Sequence, residues 1–211
     1  MRSIDKTTYA EIHNTKSETN MDTVRAFIAI ELSDDIKKEL EEIKSVLMSR
    51  NSTPAKWVDP QSIHLTLKFL GDITSDKVAE VLDGIKSGVD GISSFQIQLA
   101  GLGIFPNLAR TQVVWAGITG GMDQLKQLQK NIEIEMDKQG IPRENRTFTP
   151  HLTLARVRNH ATSEERKRLG DLVTGTPFTG GAMRVDSVNL MKSQLTRQGA
   201  LYTRLGSIRL E

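Results

Sequence analysis

The chain has 211 residues, of which 37% are hydrophobic and 26% charged, enough to build the core of one large domain or two joined lobes. Its formal charge of +2, from 28 basic and 26 acidic residues, does not indicate a protein that coats nucleic acid but permits a small anionic ligand. Because the chain has no cysteine and no apolar run near the roughly 18 residues of a membrane span, we exclude disulfides, cysteine-based zinc sites and a membrane partner, and we expect a cytoplasmic protein.

The first half of the chain predicts a polar tail and then alternating strands and helices. Residues 1–20 are polar and without periodicity, which is typical of a mobile tail or of an upstream start codon, and His13 within them is expected to be inert. Ser33 is a good helix N-cap, and apolar residues recur after it at helical spacing. The predicted elements are a strand over 24–31, a helix over 34–49, a strand over 63–69 and a helix over 75–89.

The second half continues the same alternation. Further strands are predicted over 94–100, 111–118, 151–157, 183–191 and 200–209, with a long helix over 121–139 and a charged helix from about Ser163. Gly140 and Pro142 end the long helix. Trp57 and Trp115 are expected to pack in the core. Helices that separate this many strands indicate an α+β or α/β protein.

An internal repeat relates the two halves. The tetrapeptide His-Leu-Thr-Leu stands at 64–67 and again at 151–154, and the same alignment places Ala29 on Ala116. Each half then contains a strand, an amphipathic helix, a loop and a His-Leu-Thr-Leu strand. We therefore expect residues 21–211 to form a single domain of two duplicated lobes that face each other across a cleft.

The two tetrapeptides place polar side chains together. Alternate side chains of a strand share a face, so His64, Thr66 and Lys68 are expected on one face, and His151 with Thr153 on the matching face of the other lobe. Two imidazoles beside a cleft suit general acid–base catalysis near neutral pH. Threonine hydroxyls can donate to the oxygens of a bound anion, so the set suits phosphoryl chemistry.

Other roles for the histidines are weaker. A single histidine in a strand is usually a hydrogen-bonded structural residue, but this motif occurs twice in a chain with only four histidines. A zinc site needs three or four donors, whereas the neighbours here are threonines, and His160 lies in a charged segment and is expected to be exposed. We therefore predict no metal and no other cofactor.

Four sequence blocks occur in order: RAFIAIEL, KWVDPQSIHLTLKFLGDI, GLGIFPNLARTQVVWAGI and FTPHLTLARVR. They resemble the blocks of the bacterial and archaeal RNA 2′,3′-cyclic phosphodiesterases, members of the two-histidine (2H) phosphoesterase superfamily that were first described as 2′-5′ RNA ligases. The resemblance runs from about Val24 to the C-terminus. It implies an α+β fold of two pseudo-symmetric lobes, each an antiparallel sheet with helices on its outer face, around a central cleft.

The resemblance also implies metal-independent hydrolysis of an RNA 2′,3′-cyclic phosphate to a 2′-phosphate. His64 would be the proton donor to the leaving 3′ oxygen, His151 the proton acceptor that activates water, and Thr66 and Thr153 would bind the phosphate. The residues by themselves leave open which histidine is the acid, since the halves are nearly equivalent. RNA with cyclic phosphate ends or small nucleotides would be the ligands, and nothing in the pattern requires more than a monomer.

Three further residues are candidates for substrate binding. Arg156 matches a ligand-binding arginine of the resembled family, but strict alternation puts it opposite to the face of His151, so it needs a strand end, a bulge or its long reach to enter the cleft; otherwise it is a surface arginine. Phe27 is a candidate for stacking a nucleobase, or for the core. Lys68, on the face of His64, would add positive potential.

Two other functions fit the same pattern. A ligase would join RNA ends through a 2′-5′ bond, with a ribose hydroxyl in place of water. A nucleotide- or RNA-binding module without turnover is the second, although both motifs are intact here. Hydrolysis is the default, because water is abundant.

Overall fold

The computed structural model describes residues 22–196 and 199–211, and the predicted tail over 1–20 with His13 lies outside them. The strands are β1 (Thr23–Glu31), β2 (Ala55–Trp57), β3 (His64–Thr74), β4 (Phe95–Phe105), β5 (Val113–Thr119), β6 (His151–Val157), β7 (Thr179–Val185), β8 (Ser187–Leu195) and β9 (Ala200–Arg209). The helices are α1 (Asp34–Ser49), α2 (Lys77–Val89), α3 (Met122–Lys138) and α4 (Ser163–Gly175). No helix in this part of the chain is long and apolar enough to cross a bilayer.

The strands form two antiparallel sheets, one in each lobe. The first sheet has the order β3-β1-β8-β9 and the second the order β2-β6-β5-β4-β7. Helices α2 and α3 pack together and against the first sheet, whereas α1 contacts β7 and α4 contacts β4 of the second. The architecture confirms the predicted α+β fold. The helix that follows the first strand of each half packs on the sheet of the other half, so the lobes are interlocked.

Helix α1 shows how the local sequence sets these elements. The Ser33 side chain accepts a hydrogen bond from the backbone of Ile36 at 3.5 Å, and Asp34 and Asp35 occupy the first turn, where carboxylates stabilise the positive end of the helix dipole. Its buried residues recur at helical spacing: Ile36, Leu40, Ile43 and Leu47. Burial of each such side chain contributes about 1.5–3 kcal/mol to folding. The predicted bounds of this helix are confirmed.

One hydrophobic cluster runs through both lobes. The leucines of the two His-Leu-Thr-Leu strands belong to it, because they point away from the cleft toward the helices. Leu65, Leu152 and Leu154 are fully buried and Leu67 is 3% exposed. The apolar side of each motif therefore anchors the strand, which fixes the direction of the polar side.

Two predictions about strands are wrong. The single strand expected over 183–191 is two strands, because the chain leaves the second sheet after β7 and enters the first with β8, with only Asp186 between them. No strand is predicted between the helix over 34–49 and the strand over 63–69, but the structure has β2 there, a three-residue edge strand paired with β6. The hydrophobic pattern along the chain does not show that the strand changes sheet at Asp186. It also does not show a strand as short as β2.

Candidate active site

A cleft of about 510 Å³ is lined by strands of both sheets. It brings together all but one of the residues that the sequence singles out for chemistry or binding. The lining residues among those predicted are Phe27, His64, Thr66, His151, Thr153 and Arg156. The structure therefore places residues of both His-Leu-Thr-Leu motifs in one cleft, as the sequence predicts.

A β-bulge follows the threonine of the first motif. Thr66 lies opposite Ala29 and Lys68 lies opposite Ile28, so Leu67 is an extra residue between the two pairs. An extra residue reverses the alternation of side chains beyond it. Lys68 therefore points to the helix side instead of the cleft.

Lys68 is not a cleft residue, and its predicted position is wrong. It is 4% exposed, and its Nζ donates to Glu133 Oε2 of α3 at 2.6 Å and to the Pro142 carbonyl at 2.8 Å. The same reversal turns Phe69 toward the cleft, where its side chain is 69% exposed. The cleft therefore contains the exposed ring of Phe69 where the positive charge of Lys68 was expected.

The second motif contains the equivalent bulge. Thr153 lies opposite Trp115 and Ala155 opposite Val114, so Leu154 is the extra residue. Because of this bulge, Arg156 lines the same cleft as His151 and Thr153. A bulge was one of the three ways in which the sequence analysis allowed Arg156 to enter the cleft. Arg156 and Phe69 occupy equivalent places in the two lobes.

The register of the repeat differs by one residue from the sequence alignment. Ala29 lies opposite Thr66, but the residue opposite Thr153 is Trp115 and not Ala116. Trp115 therefore lies on the cleft face beside Thr153, and the expectation that it packs in the core is wrong. Trp57, as expected, packs against the core.

The two histidines are held in the same way. His64 Nδ1 lies 3.0 Å from the Ser62 carbonyl and His151 Nδ1 lies 2.7 Å from the Thr149 carbonyl. A carbonyl only accepts, so Nδ1 carries the proton in each neutral ring and Nε2 is the unprotonated nitrogen. Each imidazole can therefore accept a proton at Nε2 when neutral, and donate one there when charged.

Aromatic rings surround both imidazoles. His64 stacks on Phe27 at 4.5 Å between centroids and meets the edge of Tyr202 at 4.9 Å. His151 meets Phe105 edge-on at 5.1 Å and lies 6.4 Å from Trp115. These contacts restrict the orientation of each ring.

Phe27 stacks on His64 and exposes little of its ring to the cleft. It is 3% exposed and forms a small cluster on the cleft floor with Ala29, Met191 and Tyr202. The predicted base-stacking role does not fit this burial. The exposed ring of Phe69, 6.2 Å from Phe27, is better placed for it.

Of the two motif histidines, only His64 has a carboxylate as its cross-strand neighbour within the residues that the structure describes. Glu31 is opposite His64 in the first sheet, whereas Gly117 is opposite His151 in the second. Glu31 Oε2 accepts from Asn189 Nδ2 at 2.8 Å and pairs with Arg204. Burial lowers the pKa of His64, and the Ser62 carbonyl and the Glu31 carboxylate act in the opposite direction.

Several residues of the cleft were missed by the sequence analysis. Tyr202 and Phe69 contact the aromatic cluster, and Arg25 and Ser193 also line the cleft. Arg25 follows from strand alternation, since it shares a face with Phe27. No sequence pattern indicates Tyr202 or Ser193 as cleft residues. They lie on strands far along the chain, and these strands reach the cleft only through the order of the strands in the first sheet.

Within residues 22–196 and 199–211, no group of three or more histidine or acidic side chains is placed to hold a metal ion. His160, the histidine nearest in sequence to the second motif, is exposed at a turn after β6.

Known proteins resemble this chain over most of its length. The family model described as the AKAP7 2′5′ RNA ligase-like domain matches residues 26–210. The chain is 33% identical over 188 residues to the RNA 2′,3′-cyclic phosphodiesterase of Methanothermobacter thermautotrophicus, covering 89% of this chain and 99% of the relative. It is 34% identical over 185 residues to the protein of the same name from Aquifex aeolicus, covering 87% and 95%.

Solved structures show the same fold. TT0787 of Thermus thermophilus superposes with a TM-score of 0.73 at 25% identity, covering 88% of this chain and 97% of that one. E. coli LigT complexed with 3′-AMP superposes with a TM-score of 0.71 at 24% identity, covering 90% and 99%. Because the family model spans most of the chain and the two named relatives exceed 30% identity over nearly their whole length, the chain belongs to the 2′-5′ RNA ligase-like family.

Proposed function

We propose that this protein hydrolyses the 2′,3′-cyclic phosphate at an RNA end to a 2′-phosphate, without a metal ion, by acid–base catalysis from His64 and His151. One observation carries the proposal: imidazoles from two lobes line one cleft, each with Nδ1 bonded to a carbonyl, so that Nε2 is the reactive nitrogen. The name of the relatives, RNA 2′,3′-cyclic phosphodiesterase, supports the substrate class.

The reaction is a displacement at phosphorus by water. His151 Nε2 takes a proton from water as the water oxygen bonds to phosphorus, the bond from phosphorus to O3′ breaks, and His64 Nε2 gives its proton to O3′. The products are a 2′-phosphate monoester and a free 3′-hydroxyl. Exchange of protons with solvent then returns both rings to their starting states.

The remaining polar groups stabilise the phosphate. The hydroxyls of Thr66 and Thr153 donate to the non-bridging oxygens, where negative charge builds up in the transition state. Arg156, on the same face as His151, adds a cation that can bind a phosphate oxygen through two N–H groups. Hydrogen bonds that strengthen as charge develops lower the barrier more than they tighten binding of the substrate.

The assignment of the acid to His64 rests on its neighbours. Glu31 favours the imidazolium form of His64, and the strand position opposite His151 holds only Gly117. Burial lowers the pKa of His64 in the free protein, but a bound cyclic phosphate brings a second negative charge to the ring. In this proposal His64 gains its proton together with the substrate.

The test is incubation with an oligonucleotide that ends in a 2′,3′-cyclic phosphate, in the presence of EDTA, with the product followed by ³¹P NMR. We expect turnover in EDTA and a 2′-phosphate product. A 3′-phosphate product would contradict the assignment of the leaving oxygen, and activity that returns only with a divalent cation would contradict metal independence. Addition of RNA with 5′-hydroxyl ends to the same reaction measures ligation against hydrolysis.

A further inference from the structure

The catalytic cleft continues into a second pocket. This pocket has a volume of about 690 Å³ and lies between β2, with the residues that follow it, and the start of β9. Arg156 and Tyr202 line both spaces, so the two are joined next to the reacting centre. A ligand that occupies the cleft can therefore extend into the second pocket.

Two cations lie side by side at the junction. Lys56 of β2 is directly opposite Arg156 of β6, and cross-strand neighbours point to the same face of a sheet. Both are exposed, and within the described residues neither forms an ion pair with a carboxylate. Like charges directly opposite each other destabilise a sheet, so an anion between them would relieve the repulsion.

The acidic residue of the second pocket has a structural role. Asp59 Oδ1 accepts from the backbone N–H of Gln61 at 3.0 Å and caps the turn over Pro60–Ser62. That turn positions the Ser62 carbonyl, which holds His64 Nδ1. Asp59 is thus bonded to the backbone of the turn, and among the described residues it forms no ion pair with Lys56 or Arg156.

The far wall of the second pocket is apolar. Leu201 of β9 is 57% exposed and lines the pocket, and Ala200 and Tyr202 flank it in the strand. Leucine in solvent gains free energy when a flat apolar surface covers it, as one face of a nucleobase does. Cations and an apolar surface in one pocket fit a nucleotide.

We propose that the second pocket binds the nucleotide on the 5′ side of the cyclic phosphate end, with Lys56 and Arg156 at the phosphodiester that joins the last two nucleotides. The proposal rests on the proposed function. It names the substrate class as an RNA chain of at least two nucleotides, in preference to a cyclic mononucleotide.

The opposite end of the cleft suits the terminal base. Base and 5′ oxygen leave the terminal ribose in different directions, so the two ends of the cleft must bind different chemistry. Phe69 lines the cleft but not the second pocket, and its exposed ring offers a surface for stacking. The cations at the other end face the phosphodiester.

Three substrates that differ only on the 5′ side test the proposal: a nucleoside 2′,3′-cyclic phosphate, the same compound with a 5′-phosphate, and the dinucleotide with the same cyclic end. We expect kcat/KM to rise in that order, with about a tenfold gain from the phosphate. Equal values for all three would overturn the second pocket and leave the proposed function intact. No turnover of any of them would contradict the proposed function itself.

Single variants show which residue is responsible for each increase in kcat/KM. Lys56→Gln should lower kcat/KM for the two 5′-phosphorylated substrates about tenfold and leave that for the nucleoside cyclic phosphate unchanged, whereas Lys56→Arg should retain the preference. Leu201→Ser should reduce only the difference between the dinucleotide and the 5′-phosphorylated mononucleotide. Lys130→Gln, exposed on α3, is the matched control. If Lys56→Gln slows all three substrates equally, the lysine does not bind the phosphodiester and the proposal is wrong.

Discussion

The imidazole of His64 is surrounded by groups with opposing effects on its pKa. Burial lowers the pKa, while the Ser62 carbonyl and the Glu31 carboxylate raise it. Tyr202 meets the ring edge-on, and Arg204 pairs with Glu31 and partly neutralises it. Two neighbours, the Ser62 carbonyl and the Glu31 carboxylate, therefore favour the proton on His64 against the effect of burial, and only the carboxylate can be removed by substitution of a side chain.

Glu31→Gln should move one limb of the pH profile of kcat/KM to lower pH. Loss of the carboxylate removes a group that favours the imidazolium form, so the pKa of His64 falls further. If His64 is the acid, its charged form is lost as pH rises through that pKa, and the alkaline limb moves. Glutamine keeps the hydrogen-bonding shape for Asn189 and Arg204.

The direction of the change distinguishes the two assignments. A shift of the acidic limb would make His64 the base, which contradicts the proposed roles. No shift in either limb would show that Glu31 has no influence on a catalytic proton. Glu42→Gln, on the exposed side of α1, is the control for the loss of one negative charge.

The positions of Lys68 and Arg156 show how far strand alternation can be used. Alternation placed both histidines and both threonines in the cleft, because these residues precede the bulges. Beyond each bulge it fails: Lys68 turns inward, and Arg156 turns into the cleft. The segment after each bulge is too short for its hydrophobic pattern to reveal the extra residue. Arg156 was therefore predicted only from the resemblance to a family.

The contact between β3 and α3 joins the two halves of the chain. Lys68 Nζ lies 2.6 Å from Glu133 Oε2, with side-chain exposures of 2% and 11%. Glu133 also accepts from Gln129 Nε2 at 3.2 Å and from the backbone of Glu144 at 3.1 Å. The ion pair thus connects the strand of the first motif to the helix and loop that precede the second motif.

Lys68→Met should lower the free energy of unfolding by about 3–5 kcal/mol, because it leaves the Glu133 carboxylate buried without its cation. The measurement is urea denaturation followed by circular dichroism. The double variant Lys68→Met with Glu133→Gln is the control, since it removes the charge as well and should recover much of the loss. An unchanged denaturation midpoint in the single variant would contradict a structural role for the pair.

The strands that follow α4 were harder to predict than the helices. Periodicity gave α1 its correct bounds and placed α2 and α3 close to theirs, because several buried residues repeat in each. It merged β7 and β8, which lie in different sheets on either side of Asp186. The pairing of β8 with β1 and of β9 with β8 brings Tyr202 to His64, and these pairings depend on long-range contacts that no local pattern predicts.

The two lobes are interlocked by helices that pack on the sheet of the opposite lobe. Helix α1 follows the first sheet but contacts β7 of the second, α3 follows the second sheet but contacts β3 of the first, and one hydrophobic cluster runs through both. Such interlocking fixes the distance between the two His-Leu-Thr-Leu strands. The duplication could be predicted from the repeated tetrapeptide, but the exchange of helices could not, since both arrangements bury the same apolar faces.

In the proposed mechanism, two imidazoles from different lobes act as one unit on one phosphate. The most direct measurement is kcat for the parent, His64→Ala, His151→Ala and the double variant, with an oligonucleotide ending in a 2′,3′-cyclic phosphate and with folding checked by circular dichroism. We predict that each single variant loses about 10²–10⁴-fold and that the double variant is not much slower than either, because groups that act together are not additive. A double variant that hydrolyses the substrate as fast as the parent would contradict the account.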